Sequence, residues 1–424
     1  LSRRLNLWNA CPGILLFLCA AVPAANGAEL SLRGSIKGYG FVYQPPSIRH
    51  FGQSAAAPSA LGLSSSRFRF QISYRRNAWL DMDVAYDIAP RIQSSGLAEK
   101  ALLFEKLDPF VYRAADLRQR LHPGETDASS RFVLGQNLDR AAIALHADCA
   151  DMTLGRQAIA WGSARVVNPT DVLAPFTFET LDTEERIGID AARVRIPLGA
   201  LGEMDSAYIF GRHFKFANSA FYTRARFNAH ETDITVLIMG FRENLMAGFD
   251  MARSLGGAGF WLETAYVFVD TLSGDGGGPG GGYFRASSGL DFNFTPESYA
   301  FIEYHFNGAG ASLARDYPAI LAHPAYTKGS VYLMSRHYLI PGISHQLSPL
   351  VLFTAQCMIN AADPSAYLTP QIEYNIAPNT YVGAGAFIGI GEDPDAAMGD
   401  IASRLRSEFG SYPDIYFGSI RHYF

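Results

Sequence analysis

Seven charged residues fall in one stretch of the chain, 161–187: Arg165, Asp171, Glu179, Asp182, Glu184, Glu185 and Arg186. Just downstream come Arg193 and Arg195, then Arg224 and Arg226, each pair spaced by two. On an extended strand that spacing puts both side chains of a pair on one face. An acidic loop set opposite a column of guanidiniums would impose a transverse field on a water-filled space between them, because arginine keeps its charge at any working pH. The same charges would also suit a solvated loop face. Asp81 and Asp83 share the two-residue spacing, which sets carboxylates side by side as acid–base hydrolysis uses them. No companion feature supports catalysis. The glycine run 276–282 lacks the Lys-Ser/Thr and helix of a phosphate loop, and His213, His230, His305 and His337 stand singly. No cofactor is implied. Asp, Asn and Glu in the loops would admit Ca²⁺ without pointing to it.

These residues need elements to hold them, and the elements are strands. Segments of about ten alternating residues recur along the chain. The pattern predicts strands near 29–43, 66–76, 78–88, 139–148, 151–160, 188–196, 203–212, 219–228, 231–241, 244–253, 258–269, 283–293, 298–307, 329–338, 347–358, 366–376, 379–390 and 413–424. That makes eighteen, and the weak members 151–160 and 244–253 leave sixteen open. Each strand has a greasy face and a charged one. In 298–307, Ile302, Tyr304 and Phe306 oppose Glu303, His305 and Asn307; in 78–88, Leu80, Met82 and Val84 oppose Asp81 and Asp83. A soluble barrel could not bury such an interior cheaply, whereas a wide aqueous barrel leaves it solvated.

Connection lengths alternate as well. The gaps 44–65, 89–138, 161–187, 270–282, 308–328 and 391–412 are long, while those after even-numbered strands are short. Long loops on one side and tight turns on the other are the habit of membrane barrels. Within 89–138, one helix is expected through Leu97, Ala101, Phe104 and Leu107, and a second from Asp108-Pro109 through Val111, Ala114, Leu117 and Leu121.

Composition agrees. Of 424 residues, 18% are charged and 13% aromatic, and mean hydropathy is +0.03. No run after residue 28 reaches the ~18 apolar residues of a spanning helix, and a barrel averages near neutral. The net charge of −5 argues against nucleic acid as a partner. Arg3 and Arg4, the apolar run 13–22 and the small residues 24–28 make a secretory signal peptide over 1–28, leaving 29–424 as the barrel.

The final stretch alternates Tyr416, Gly418, Ile420, His422 and Phe424 against Phe417, Ser419, Arg421 and Tyr423. An alternating strand that ends on an aromatic residue resembles the closing strand of Gram-negative outer-membrane β-barrels. His422 stands where those barrels usually carry Tyr or Phe. The segment Gly155-Arg156-Gln157 running into Trp161-Gly162, then Asn168-Pro169-Thr170-Asp171 and Glu184-Glu185-Arg186, resembles a poorly characterised family of such proteins. The resemblance implies a transmembrane antiparallel barrel in a Gram-negative outer membrane, among lipid and lipopolysaccharide, and a homo-oligomer is compatible with it. The expected fold is therefore all-β, about eighteen strands with a short helical insert in an outer loop. The expected function is porin-like passive diffusion of small hydrophilic solutes. Stretch 161–187 is the candidate inward-folded loop, with Asp81, Asp83, Glu303 and the four arginines on the wall. The alternatives are a non-conducting barrel that scaffolds or sheathes a periplasmic partner and, further off, a barrel enzyme.

Overall fold

A computed structural model describes residues 28–50, 53–54, 59–94, 110–123, 130–178, 180–273, 280–395 and 405–424. Eighteen strands close into one antiparallel barrel. They are β1 (Ala28–Gln44), β2 (Leu61–Arg76), β3 (Leu80–Gln93), β4 (Phe132–Ala147), β5 (Ala150–Gln157), β6 (Ile189–Leu198), β7 (Gly202–Ile209), β8 (Ala220–Ala229) and β9 (Thr232–Phe241), continuing with β10 (Asn244–Leu255), β11 (Ala258–Val269), β12 (Gly280–Thr295), β13 (Ser298–Asn307), β14 (His337–Ser348), β15 (Val351–Asn360), β16 (Ser365–Ala377), β17 (Thr380–Ile390) and β18 (Asp414–Tyr423). Each pairs with its sequence neighbours, and β1 pairs with both β2 and β18, which removes every edge.

Even-to-odd links are turns of two or three residues, such as 148–149, 256–257 and 378–379. Two-residue hairpins favour φ > 0 at both central positions. Gly256 and Gly257 supply it without strain and His230-Glu231 adopt it with side chains, as do Arg242-Glu243 in the short β9–β10 link at the opposite end. The long links gather at the other end of the barrel.

The pattern of exposure is inverted relative to a soluble protein. Leu32, Ile302 and Tyr304 point outward and are exposed, whereas Lys37, Asp205, Glu263 and Glu303 point into the lumen and are fully buried. Outward aromatics ring both ends: Phe227, Phe292, Phe294, Tyr374 and Phe424 near the short turns, and Tyr208, Tyr266, Phe268, Phe284 and Tyr416 near the long links. An apolar belt with two aromatic girdles is what hydrocarbon and its interfaces select.

Two expectations need correcting. The strand expected over 329–338 lies instead at 337–348. Residues 331–335, all buried but the half-buried Tyr332, lie in the barrel mouth, where Val331, Leu333 and Met334 join apolar clusters. The signal was hidden by Pro341, which has no N–H: the ladder to β15 breaks after Leu339 and resumes at Gly342. The second helix expected within 89–138 is turn and short strand over its described part, 110–122. There the backbone pairs with the barrel rather than with itself. Arg212 N–H donates to the Val111 carbonyl, Asp190 N–H to that of Tyr112, and Ala114 N–H to the Asp190 carboxylate. The first helix, 95–109, and the leader, 1–27, lie outside the described residues. Short helices occur instead in the β13–β14 link, at Tyr317–Ile320 and Pro324–Thr327.

Candidate functional site

The link between β5 and β6, residues 158–188, runs into the lumen and is held on both sides. Its first half is held by acids on the wall. Glu303 on β13 accepts the backbone N–H groups of Arg165, Val166 and Val167 at 2.7, 3.3 and 2.9 Å, and Trp261 Nε1–H at 3.2 Å. Glu263 on β11 accepts Ala164 N–H, Thr170 N–H and the Thr170 hydroxyl at 3.2, 2.9 and 2.7 Å. Asp250 on β10 takes the Ser163 hydroxyl, and Asp291 on β12 takes two nitrogens of Arg165. The two buried carboxylates, Glu263 and Glu303, thus each meet several donors, which is the condition for tolerating them away from water. Gly162 makes the entry: its φ is +112°, and a Cβ there would sit 2.2 Å from the Asn168 amide oxygen.

The second half crosses to the wall around β1, β2 and β18. Asp182 meets Lys37 at 3.0 Å and Arg67 at 2.8 Å. Glu184 meets Lys37 at 2.6 Å and the Tyr423 hydroxyl at 2.6 Å, and also pairs with Arg421. Glu185 meets Arg69 at 2.7 Å, and Arg140 donates to the Arg186 carbonyl. Within the loop, Arg186 pairs with Asp171 at 2.7 Å and lies over the Phe176 ring. Burial pushes the Asp171 carboxyl up, against Arg186 beside it. Burial likewise raises Glu185 despite Arg69. At Glu184 burial also opposes ionisation, but Lys37, Tyr423 and Arg421 outweigh it and hold the carboxyl low.

The loop acids therefore meet cations other than the four arginines singled out by spacing. Arg193 and Arg224 both bind Asp205, which also accepts the Tyr222 hydroxyl. Arg195 pairs with Asp151, and Arg226 lines a pocket near the short turns with Glu203 and Asp233. Asp81 pairs across the ladder with Arg75 and contacts His146, while Asp83 accepts from Gln71 and Ser73. Glu179 lies outside the described residues. Among the described residues no group of three or more His, Cys, Asp and Glu could hold a metal ion.

Sequence reasoning missed Lys37, Arg67, Arg69, Arg421, Asp250, Glu263 and Asp291. A partial signal existed. Lys37 is one of five lysines and falls on the polar face of β1, and Arg67 and Arg69 share the two-residue spacing. Their partners, more than a hundred residues away, carry no local mark.

Between the loop and the wall of β15–β17 a cavity of ≈ 440 Å³ remains. The loop side contributes Arg165, Asp171, Phe176, Phe178 and Arg186; the wall contributes Thr354, Gln356, Thr369, Gln371 and Phe387, with Arg285 and Tyr332 closing the flank. Toward the long links the lumen narrows, because Tyr317, Leu333, Met334, Phe409 and Tyr412 pack on inward residues such as Tyr338, Met358 and Tyr367.

No protein-family model matches the chain, and no curated protein is similar to it in sequence. Similarity appears in solved structures. Acinetobacter baumannii OccAB4 superposes with a TM-score of 0.55 at 7% identity, covering 95% of this chain and all (100%) of that one. Acinetobacter baumannii OccAB1 gives 0.54 at 7% identity, covering 94% and 97%. Pseudomonas aeruginosa OccK9 gives 0.53 at 10% identity, covering 92% and 98%. At such identities the likeness is one of fold, and it extends over nearly the whole of both chains.

Proposed function

We propose that the chain is an outer-membrane channel for passive diffusion of small hydrophilic solutes, with 158–188 as its constriction loop. The observation that carries this is the inverted barrel. A charged, polar interior inside an apolar belt has no use in a soluble protein, and a loop laced across that interior sets its bore. The solved structures that share the fold are outer-membrane porins. On this reading the short turns are periplasmic, the long links face outward among lipopolysaccharide, and 1–28 is a cleaved leader.

A second reading rests on the packed mouth. Apolar residues of the β13–β14 and β17–β18 links fill the lumen's long-link end, which suits a non-conducting scaffold. Planar-bilayer recording of the purified protein separates the two: stepwise openings support the channel, and silence from folded, heat-modifiable barrel supports the scaffold.

A further inference from the structure

The cavity beside the constriction loop has two unlike sides. Its wall carries a block of uncharged hydrogen-bonding side chains. Thr354 on β15 sits directly across the ladder from Gln371 on β16, and Gln356 across from Thr369. Among the described residues neither the Gln356 nor the Gln371 side chain has a hydrogen-bond partner. Each amide therefore offers one acceptor and two donor positions to whatever enters. Opposite them the loop presents aromatic rings, Phe176 and Phe178. Arg186 covers Phe176, whereas Phe178 contacts only the tilted ring of Tyr367 among the aromatics.

Two of the three guanidiniums around this space have carboxylate partners. Arg165 is engaged by Asp291 and Arg186 by Asp171. Arg285 donates to the Pro169 carbonyl and faces the same Asp171. A small anion would thus find only Arg285 without a carboxylate of its own, and that side chain is buried. What remains unspent is an aromatic face opposite amides and hydroxyls, in a volume within the usual range for small-ligand sites. A saturated ring with hydroxyls around its rim has the complementary chemistry: its C–H face packs on an aromatic ring, and its hydroxyls pair with amides.

We propose that this cavity binds a neutral polyhydroxylated ring, a sugar or sugar-like alcohol, with its C–H face on Phe178 and its hydroxyls on Gln356 and Gln371. This deepens the channel reading by naming a solute class for the constriction, and it rests on that reading for the route of entry only.

The test uses the full chain in planar bilayers with sucrose as the probe, and with benzoate and a polyethylene glycol of similar mass as comparators. Sucrose should reduce the open-channel current saturably. Phe178→Ala and Gln371→Ala should each raise the half-blocking concentration by about fivefold or more while stepwise openings persist. Block by benzoate but not sucrose would overturn the proposal in favour of an anion site. Equal, non-saturating reduction by sucrose and the polymer, unmoved by the variants, would reduce it to steric exclusion. Hydrogen exchange of residues 176–178 and 180–183, with and without sucrose, reads the site in the native chain without current. Protection there supports the site and its absence overturns it. A silent barrel thus sinks the channel while the binding site is still decided.

Discussion

Glu303→Gln isolates the anchor of the constriction loop. The carboxylate accepts three backbone N–H groups and the Trp261 indole from full burial, with one oxygen serving Arg165, Val166 and Trp261 and the other serving Val167. An amide keeps one acceptor oxygen and turns the other into a donor facing a donor. Either way round, the anchor loses its charge and at least one bond, and a buried N–H is left unpaired. Hydrogen bonds to charged groups are worth about 1.5–3 kcal/mol and an orphaned donor costs about 1–3, so a net loss of roughly 2–4 kcal/mol is expected after relaxation. At about 1.4 kcal/mol per tenfold, local opening of Arg165–Val167 becomes roughly 30- to 1000-fold more frequent. Glu263 still holds Ala164 and Thr170, so the loop frays at its middle rather than leaving. Hydrogen exchange resolved to these amides measures the effect, with β13 amides as the internal reference. Protection of 165–167 within threefold of the parent, in a barrel that remains intact, would refute the claim that Glu303 is the anchor.

Lys37→Met removes the cation shared by Asp182 and Glu184. Arg67 and Arg421 stay on the same acids, so the tie should weaken by about 1–3 kcal/mol, less than a wholly broken buried pair; reversal potentials across a salt gradient should move toward cation selectivity. Glu408, in the β17–β18 link, accepts from Met334 N–H, the Tyr338 hydroxyl and Asn360, and burial pushes its carboxyl up to about 8 from 4.5. A raised carboxyl favours the folded link below the unfolded value and loses that contribution as pH rises toward the folded one. Protection factors of residues 405–412, corrected for intrinsic exchange, should therefore fall between about pH 4.5 and 8 and level off above it, and Glu408→Gln should flatten the profile. Cys149, exposed in the β4–β5 turn, and Cys357, near the long-link end of β15, are both free thiols; a maleimide should label both in denatured, unreduced protein, and a mapped bridge between them would contradict the strand order.

Strands were legible where alternation was clean. Along β13, Ile302, Tyr304 and Phe306 against Glu303, His305 and Asn307 gave location, type and facing at once, because a wall between oil and water must alternate. β14 was illegible for the opposite reason: Pro341 and Gly342 interrupt its pattern, while the apolar run 331–334 has a strand's composition yet packs inside the mouth. The loop was legible as charged but not in its partners. Asp182 says nothing local about Lys37, since that contact arises only once eighteen strands have closed. Glu303 was legible only as a lumen-facing acid and Glu263 not at all, because their work is done on the backbone of 164–170, which no side-chain pattern records. The cavity was less legible still, because Thr354 and Gln371 become neighbours only through the register of β15 and β16.

The loop that crosses the lumen is fastened to β10–β13 at one end and to β1, β2 and β18 at the other, nearly half-way round the ring. In mechanical terms it is a cross-tie. A wide single-layer barrel bends easily at its ladders and flattens under lateral pressure from the bilayer, whereas a chord fixed at two walls holds their separation. The stiffness of the wall and the width of the bore then share one cause, so cutting the chord should yield a softer barrel, with broader and noisier conductance levels, before it yields a larger one.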